Sequence, residues 1–182
     1  MKRFIIVLAA ACLAVVGWGA GGRPLEARQR IGAAEAEGER EATDTEAWKV
    51  ISAELAKKGE LKDGVYRVVV PRLDLEVTVE GNVVPASAGI ESEFRFYRCP
   101  CGRINVVGQF VVADYEANDV IDSLRAGKIE VASVGPLLLH EKPRLLLVRF
   151  FGENRSGGVL AKTLRGALSW TGKERMAPQK QD

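Results

Sequence analysis

The most constraining feature of the sequence is the stretch 103–151, in which strand, helix, strand and strand follow one another through short connections. Residues 114–126 predict a helix, because apolar side chains recur on one face between Asp114, a suitable cap, and Gly127, a suitable end. Dense apolar runs predict the strands of this stretch at 103–112, 129–134 and 145–151. This stretch therefore predicts the centre of a folded domain.

The flanking elements follow from the same signals of periodicity and turn chemistry. Helices are predicted at 45–58 and 159–170, a strand at 65–70, and hairpins at 73–84 and 94–112. Apolar and polar residues alternate over 73–79, the first strand of the first hairpin, and Cys99-Pro100-Cys101-Gly102 closes the second hairpin. The expected class is α+β, with a mainly antiparallel sheet of two hairpins plus a β-α-β-β-α unit, and helices packed on the sheet. Strand 145–151 is apolar apart from Arg149, which predicts a central strand covered on both faces.

The ends of the chain predict export. Residues 1–22 have a basic start, an apolar core and a small-residue end, which is typical of a cleaved signal peptide. A retained membrane anchor is the alternative, and Cys12 is poorly placed for lipidation. We expect a flexible linker at 23–44, one domain at 45–172 and a disordered tail at 173–182. The expected location is periplasmic or extracellular, with a membrane contact only through an uncleaved N-terminal segment.

The charge balance excludes electrostatic binding of polyanions as the main function. The chain has 26 Lys and Arg against 24 Asp and Glu, and removal of Lys2 and Arg3 leaves 24 of each. A near-neutral mature protein has no basic excess for nucleic acid or anionic lipid.

Three side chains are candidate ligand contacts. Arg149 lies in an apolar strand and needs either an anionic ligand or an acidic partner such as Glu153 or Asp114. His140 beside Glu141 suggests a general base, although a solvated loop histidine is the alternative. An enzyme would use Arg149, His140 and Glu153 around one end of strand 145–151. No spacing predicts a metal, a cofactor or a catalytic residue.

Cys99 and Cys101 are the only cysteines beyond the predicted signal peptide. In an oxidising compartment an even pair predicts a disulfide, here a staple of the turn. A pair of free thiols and half of a metal site are the alternatives. A redox-responsive function would depend on these two residues.

Three segments resemble an exported family typified by the LppY and LpqO lipoproteins. They are GVYRVVVPRLDLEVTVEG at 64–81, GQFVVADYEANDVIDSLRAGKIEV at 108–131 and the Glu141-Lys142-Pro143 turn, and the resemblance covers 46–172. The resemblance implies a fold group with a possible metal-dependent activity, because the family pattern has a His-Asn-His-Leu run after the strand equivalent to 129–134 and a further histidine in the last strand. Here those positions read Gly135-Pro136-Leu137 and Arg149.

These departures favour a non-catalytic binding or interaction module of the cell envelope, for a small ligand or an envelope protein. An envelope enzyme, metal-dependent or of another kind, is the alternative, and a redox-responsive protein is the second alternative.

Overall fold

The computed structural model describes residues 44–172, which form three α-helices and two antiparallel sheets. Helix α1 covers 44–55, α2 is Ala117–Ala126 and α3 is Gly157–Leu168. The helices contact strands of the larger sheet, so the predicted α+β class is confirmed. The predicted signal peptide, all of the linker except residue 44, and the tail lie outside the described residues.

Nine strands build the two sheets. In chain order they are β1 Glu60–Lys62, β2 Val65–Pro71, β3 Val77–Val79, β4 Asn82–Val84, β5 Glu91–Arg98, β6 Ile104–Ala113, β7 Glu130–Pro136, β8 Glu141–Lys142 and β9 Leu145–Asn154. The larger sheet has the order β1-β2-β5-β6-β9-β7, and the smaller sheet has the order β4-β3-β8. Strands β6 and β7 both run antiparallel to β9, so they are parallel to each other and α2 connects them across β9.

The main core lies between the helices and one face of the larger sheet. Three fully buried or nearly buried rings form its centre, with centroids 4.9–5.9 Å apart: Phe94, Phe110 and Phe150. Gly108 is required beside them, because a Cβ at this position would lie 2.5 Å from the carbonyl oxygen of Glu93 and 2.7 Å from the ring of Phe150. The space beside Gly108 is thus filled by the ring of Phe150.

The smaller sheet covers one end of the opposite face of the larger sheet. A second apolar cluster lies between the two sheets, and its buried members are Val77, Ile90, Val111, Ala113 and Leu145. Beyond this cluster the face is uncovered, and Arg149 and Phe151 of β9 are exposed. The prediction of a strand covered on both faces is therefore wrong for the second half of β9, because the smaller sheet is too short to reach it.

The predicted strand at 73–79 is wrong at its start. Residues 72–76 leave the sheet in a turn, and only Val77–Val79 form a strand. The cause is Arg72, which turns its side chain inward and is 3% exposed, whereas Leu73 is 82% exposed. The alternation of apolar and polar residues over 73–79 therefore predicted a strand where the chain turns and buries Arg72.

Two element ends also differ from the prediction. Helix α1 ends at residue 55, because Ala56 has a positive φ of 51°, so the helix is shorter than the predicted 45–58. Gly59, just beyond the predicted end, is needed for close packing, since a Cβ would lie 2.7 Å from the ring of Tyr66. Strand β7 continues through Gly135 to Pro136 and is not broken there, because it is an edge strand and tolerates proline at its end.

Candidate functional site

The uncovered part of the larger sheet presents a row of polar side chains next to the smaller sheet. Register pairs Glu93 with Gln109, Gln109 with Arg149, and Arg149 with Ser133. The next row contains Arg67, Arg95, Val107 and Phe151. We call these two rows the open face.

Glu93 forms ion pairs with two of the three arginines on the open face. Its carboxylate accepts hydrogen bonds from Arg67 and from Arg95, at 3.0 Å from Nε and 2.5 Å from Nη2 of Arg95. The hydrogen bond to Glu93, more than any other contact, raises the pKa of Arg67 above its ordinary value. Glu93 itself is 5% exposed, because the two arginine side chains lie over it.

Arg149 differs from these two arginines. Among the residues that the structure describes, none forms an ion pair with its guanidinium, which is exposed. The expected partner Glu153 binds Arg103 instead, at 2.5 Å between carboxylate oxygen and Nη1. Gly135, diagonal to Arg149 across the β7–β9 ladder, leaves open space, since a Cβ there would have no neighbouring atom within 4 Å. Arg149 therefore has a positive charge without an ion pair among the described residues, and open space beside it for a ligand.

The structure does not bring His140 to Arg149 and Glu153. His140 is an exposed turn residue with a positive φ of 63°, and it lines a shallow depression with Thr78, Glu80 and Lys142. Glu141 turns away from it and is buried, where its carboxylate accepts a hydrogen bond from the backbone N–H of Leu145 at 3.1 Å. The arrangement of His140 and Glu141 thus gives no carboxylate-oriented base.

Glu153 lies at the opposite end of β9, in a second depression beside the β5–β6 turn. Cys101, Arg103 and Arg155 share this depression with Glu153. The Sγ atoms of Cys99 and Cys101 are in contact, and the Cα atoms are 5.1 Å apart, within the range that a disulfide requires. The disulfide stays a prediction that this geometry permits.

A buried ionic cluster was missed by the sequence reasoning. Arg72 donates to both carboxylate oxygens of Glu116, at 2.8 and 3.0 Å, and to both oxygens of Asp74, at 3.0 and 2.8 Å. Burial alone would lower the pKa of Arg72, but the hydrogen bonds to Asp74 and Glu116 outweigh it and raise that pKa. The backbone N–H groups of Ala113 and Gly172 also donate to Glu116, at 2.8 and 2.9 Å. Every charge in this cluster has partners, so we assign it to stability.

An apolar groove lies between α1 and the β1–β2 edge of the sheet. Its floor includes Trp48 and Tyr66, whose rings are stacked with centroids 5.7 Å apart. Trp48 is 4% exposed, so it is a packing residue that anchors α1 to the sheet. Lys49 and Lys58 lie at the rim of the groove.

Within 44–172 no three side chains of His, Cys, Asp or Glu come together in a way that would hold a metal ion. None of the helices described by the structure has both the length and the apolar character needed to cross a bilayer.

Comparison with known proteins gives the family. No curated protein and no solved structure matches the chain. Residues 49–170 match a family described as Domain of Unknown Function (DUF1259), and the match includes β1 to β9, all of α2 and α3, and residues 49–55 of α1. The chain belongs to this family, for which no function is established.

Proposed function

We propose that the domain is a non-catalytic binding module and that Arg149 holds a small carboxylate or phosphate ligand on the open face. The observation that carries this proposal is the contrast between Arg149, which has no ion pair within the described chain, and Arg67 and Arg95, which share Glu93. A guanidinium presents a planar set of donors that matches carboxylate and phosphate oxygens in pairs.

The neighbours of Arg149 support a site of this chemistry. Gln109 and Ser133 are its direct cross-strand neighbours, and such neighbours have Cβ atoms about 4.5–5.5 Å apart. Both side chains can donate hydrogen bonds to an oxygen that Arg149 holds. Phe151, which is 37% exposed, gives an apolar boundary two residues further along the same face of β9.

The resemblance to the LppY and LpqO group gives a second line of support. Gly135 and Leu137 alternate onto the face that carries Arg149, because Gly135 pairs with Leu147 and the N–H of Leu137 donates to the carbonyl of Leu145. The family histidines would therefore lie on the same face as the guanidinium of Arg149 and the open space at Gly135. Replacement of neutral metal-binding imidazoles by a permanent cation favours an anion over a metal as the ligand.

We further propose that the ligand is met in the cell envelope, because residues 1–22 have the pattern of a signal peptide. Cell fractionation of the full chain tests the location. Recovery with the cytoplasmic fraction, with residues 1–22 intact, would remove the envelope from the proposal and leave the site unaffected.

The binding proposal is tested by thermal unfolding with phosphate, citrate and, as an uncharged comparison, glucose. An anion at 100 times its Kd should add about 2.7 kcal/mol to the free energy of unfolding and raise Tm, whereas glucose should not. Arg149→Leu should abolish the rise. The matched control is Arg125→Leu, an exposed arginine of α2 on the helix-covered side of the sheet, which should keep it.

The same variants separate binding from a structural role. Without ligand, Arg149→Leu should leave the free energy of unfolding within about 0.5 kcal/mol of the parent or raise it, because an exposed guanidinium without an ion pair adds little stability. A clear loss of Tm in ligand-free Arg149→Leu would mean that Arg149 supports the fold. The binding proposal would be refuted if an anion raised the Tm of Arg149→Leu as much as that of the parent, or if no anion raised the Tm of the parent.

A further inference from the structure

The β5–β6 turn holds two cysteines in unequal environments. Cys99 is half-buried and Cys101 is exposed, with their Sγ atoms in contact. An incoming thiol can therefore reach the sulfur of Cys101 more easily than that of Cys99. Access is one of the factors that decide which sulfur of a disulfide is attacked.

The backbone of the turn is arranged around the sulfur of Cys99. The N–H of Cys101 points at Cys99 Sγ, with a nitrogen–sulfur distance of 3.1 Å. The N–H of Cys99 donates to the carbonyl of Arg103 at 2.9 Å, and the N–H of Gly102 donates to the carbonyl of Cys99 at 3.0 Å. A fixed donor at Cys99 Sγ stabilises the negative charge that this sulfur gains when it leaves a disulfide.

The depression next to Cys101 has a cationic rim. It has a volume of about 520 Å³ and is lined by Cys101, Gly102, Arg103, Glu153 and Arg155. Arg103 is neutralised by Glu153, whereas Arg155 forms no ion pair with any residue in the described range. The uncompensated charge beside the exposed sulfur therefore favours an anionic reactant.

We propose that Cys99 and Cys101 form a thiol–disulfide exchange site for small thiols that carry carboxylates. The thiolate of the small molecule attacks Cys101 Sγ and forms a mixed disulfide with it. The Cys99–Cys101 bond breaks, and its electron pair goes to Cys99, which leaves as a thiolate held by the N–H of Cys101. One disulfide is consumed and one is formed, so no further oxidant or reductant is required. This site is separate from Arg149 and does not depend on the anion-binding proposal.

The test uses the oxidised full chain with Cys12→Ser, so that only the turn contains cysteine. The reactants are 3-mercaptopropionate, which is anionic, and cysteamine, which is cationic and of similar size. Each rate is corrected for the fraction of thiolate and divided by the rate of the same thiol with an uncharged small disulfide, which removes the difference in intrinsic nucleophilicity. The anionic thiol should react about tenfold faster at low salt, and the ratio should approach one in about 1 M salt. Arg155→Gln should reduce this ratio severalfold, Glu153→Gln should increase it, and Arg125→Gln is the control that leaves it unchanged.

The site of attack is read from the tryptic peptide 99–103 after rapid alkylation of the released thiol. The small thiol should be found on Cys101 and the alkyl group on Cys99. The proposal would be overturned if the small thiol were found on Cys99, or if the two thiols reacted at equal corrected rates. It would also be overturned if the ratio of rates in Arg155→Gln equalled that of the parent. Two reactive thiols in protein purified without reductant would overturn it at the first step.

Discussion

Arg72→Met is the substitution that most directly tests the buried ionic cluster. It removes a guanidinium that is 3% exposed and contacts Glu116, which is 0% exposed. Methionine fills a similar volume but leaves the Glu116 carboxylate without its cation and the Val111 carbonyl without a donor that was 2.7 Å away. Breaking a buried pair by removing one partner costs about 3–5 kcal/mol, because a buried charge loses its compensation.

The expected loss is lower for Glu116→Gln. The amide keeps the shape of the side chain and an acceptor for the N–H of Ala113 or Gly172, and Arg72 keeps its two bonds to Asp74. We therefore expect a loss of about 1–3 kcal/mol, the cost of weakening a buried hydrogen-bonded group. In the double variant the two losses should not add, since the second substitution acts on an interaction that is already broken.

Urea unfolding followed by far-ultraviolet circular dichroism measures these differences. For a domain of this size about 3–5 kcal/mol corresponds to a fall in Tm of roughly 10–20 °C. Arg67→Met is the comparison, because Arg67 pairs with Glu93 on the open face and has a half-exposed side chain. We expect Arg67→Met to cost about 1 kcal/mol or less. If Arg72→Met costs no more than Arg67→Met, the stabilising role of the cluster is refuted.

Two further predictions concern Gly108 and Tyr115. Gly108→Ala should lower the free energy of unfolding by about 1–3 kcal/mol, because its Cβ would meet a backbone oxygen and the Phe150 ring. Gly135→Ala, at an open position, should change the free energy of unfolding by less than about 1 kcal/mol. Equal losses for the two variants in urea unfolding would contradict the packing described at Gly108. Burial, followed by the charge of Glu116, raises the pKa of Tyr115 above its ordinary value of 10.0. The folded state thus binds this proton more tightly, so the contribution of Tyr115 to stability should be full below about pH 10 and decline at higher pH. The difference between the 295 nm titrations of the parent and of Tyr115→Phe isolates this phenol and should show it titrating above its ordinary value of 10.0. A difference curve centred at or below that value would contradict this prediction.

The elements with long apolar runs could be predicted from the sequence because one physical signal fixed each of them. Strand β6 was predicted from Ile104, Val106, Phe110 and Val112, and all four side chains are buried on the helix-covered face. Helix α2 was predicted from its apolar stripe and Gly127, and it ends at Ala126. These signals are local, so tertiary contacts did not have to be known.

The third strand of the smaller sheet and the buried cluster depend on contacts that are distant in sequence. Strand β8 has two residues and pairs with β3 across 62 positions at Val79 and Glu141, which no local periodicity reveals. Arg72 and Glu116 are 44 residues apart, and each is polar enough to be assigned to the surface. One signal in the sequence could have pointed to the buried Arg72. It follows Pro71 directly, between the end of one predicted strand and the alternation of 73–79, where the chain has to turn.

The candidate site was predicted only in part. Arg149 was singled out because it interrupts an apolar strand, and the structure gives it an open face and no ion pair among the described residues. His140 and Glu153 were grouped with it because all three lie near β9 in sequence, but they occupy depressions at opposite ends of that strand. Distance along a strand, about 3.3 Å per residue, separates residues that a linear sequence presents as neighbours.

The central ladder of the larger sheet has a consequence for the order in which the chain can fold. Strand β6 pairs along its whole length with β9, from Ile104 with Asn154 to Ala113 with Leu145. A ribosome releases β6 well before β9, and until β9 emerges one side of β6 has no strand to bond with. The domain therefore closes late, after most of its length has been synthesised, and the unpaired side of β6 is open to aggregation during that interval.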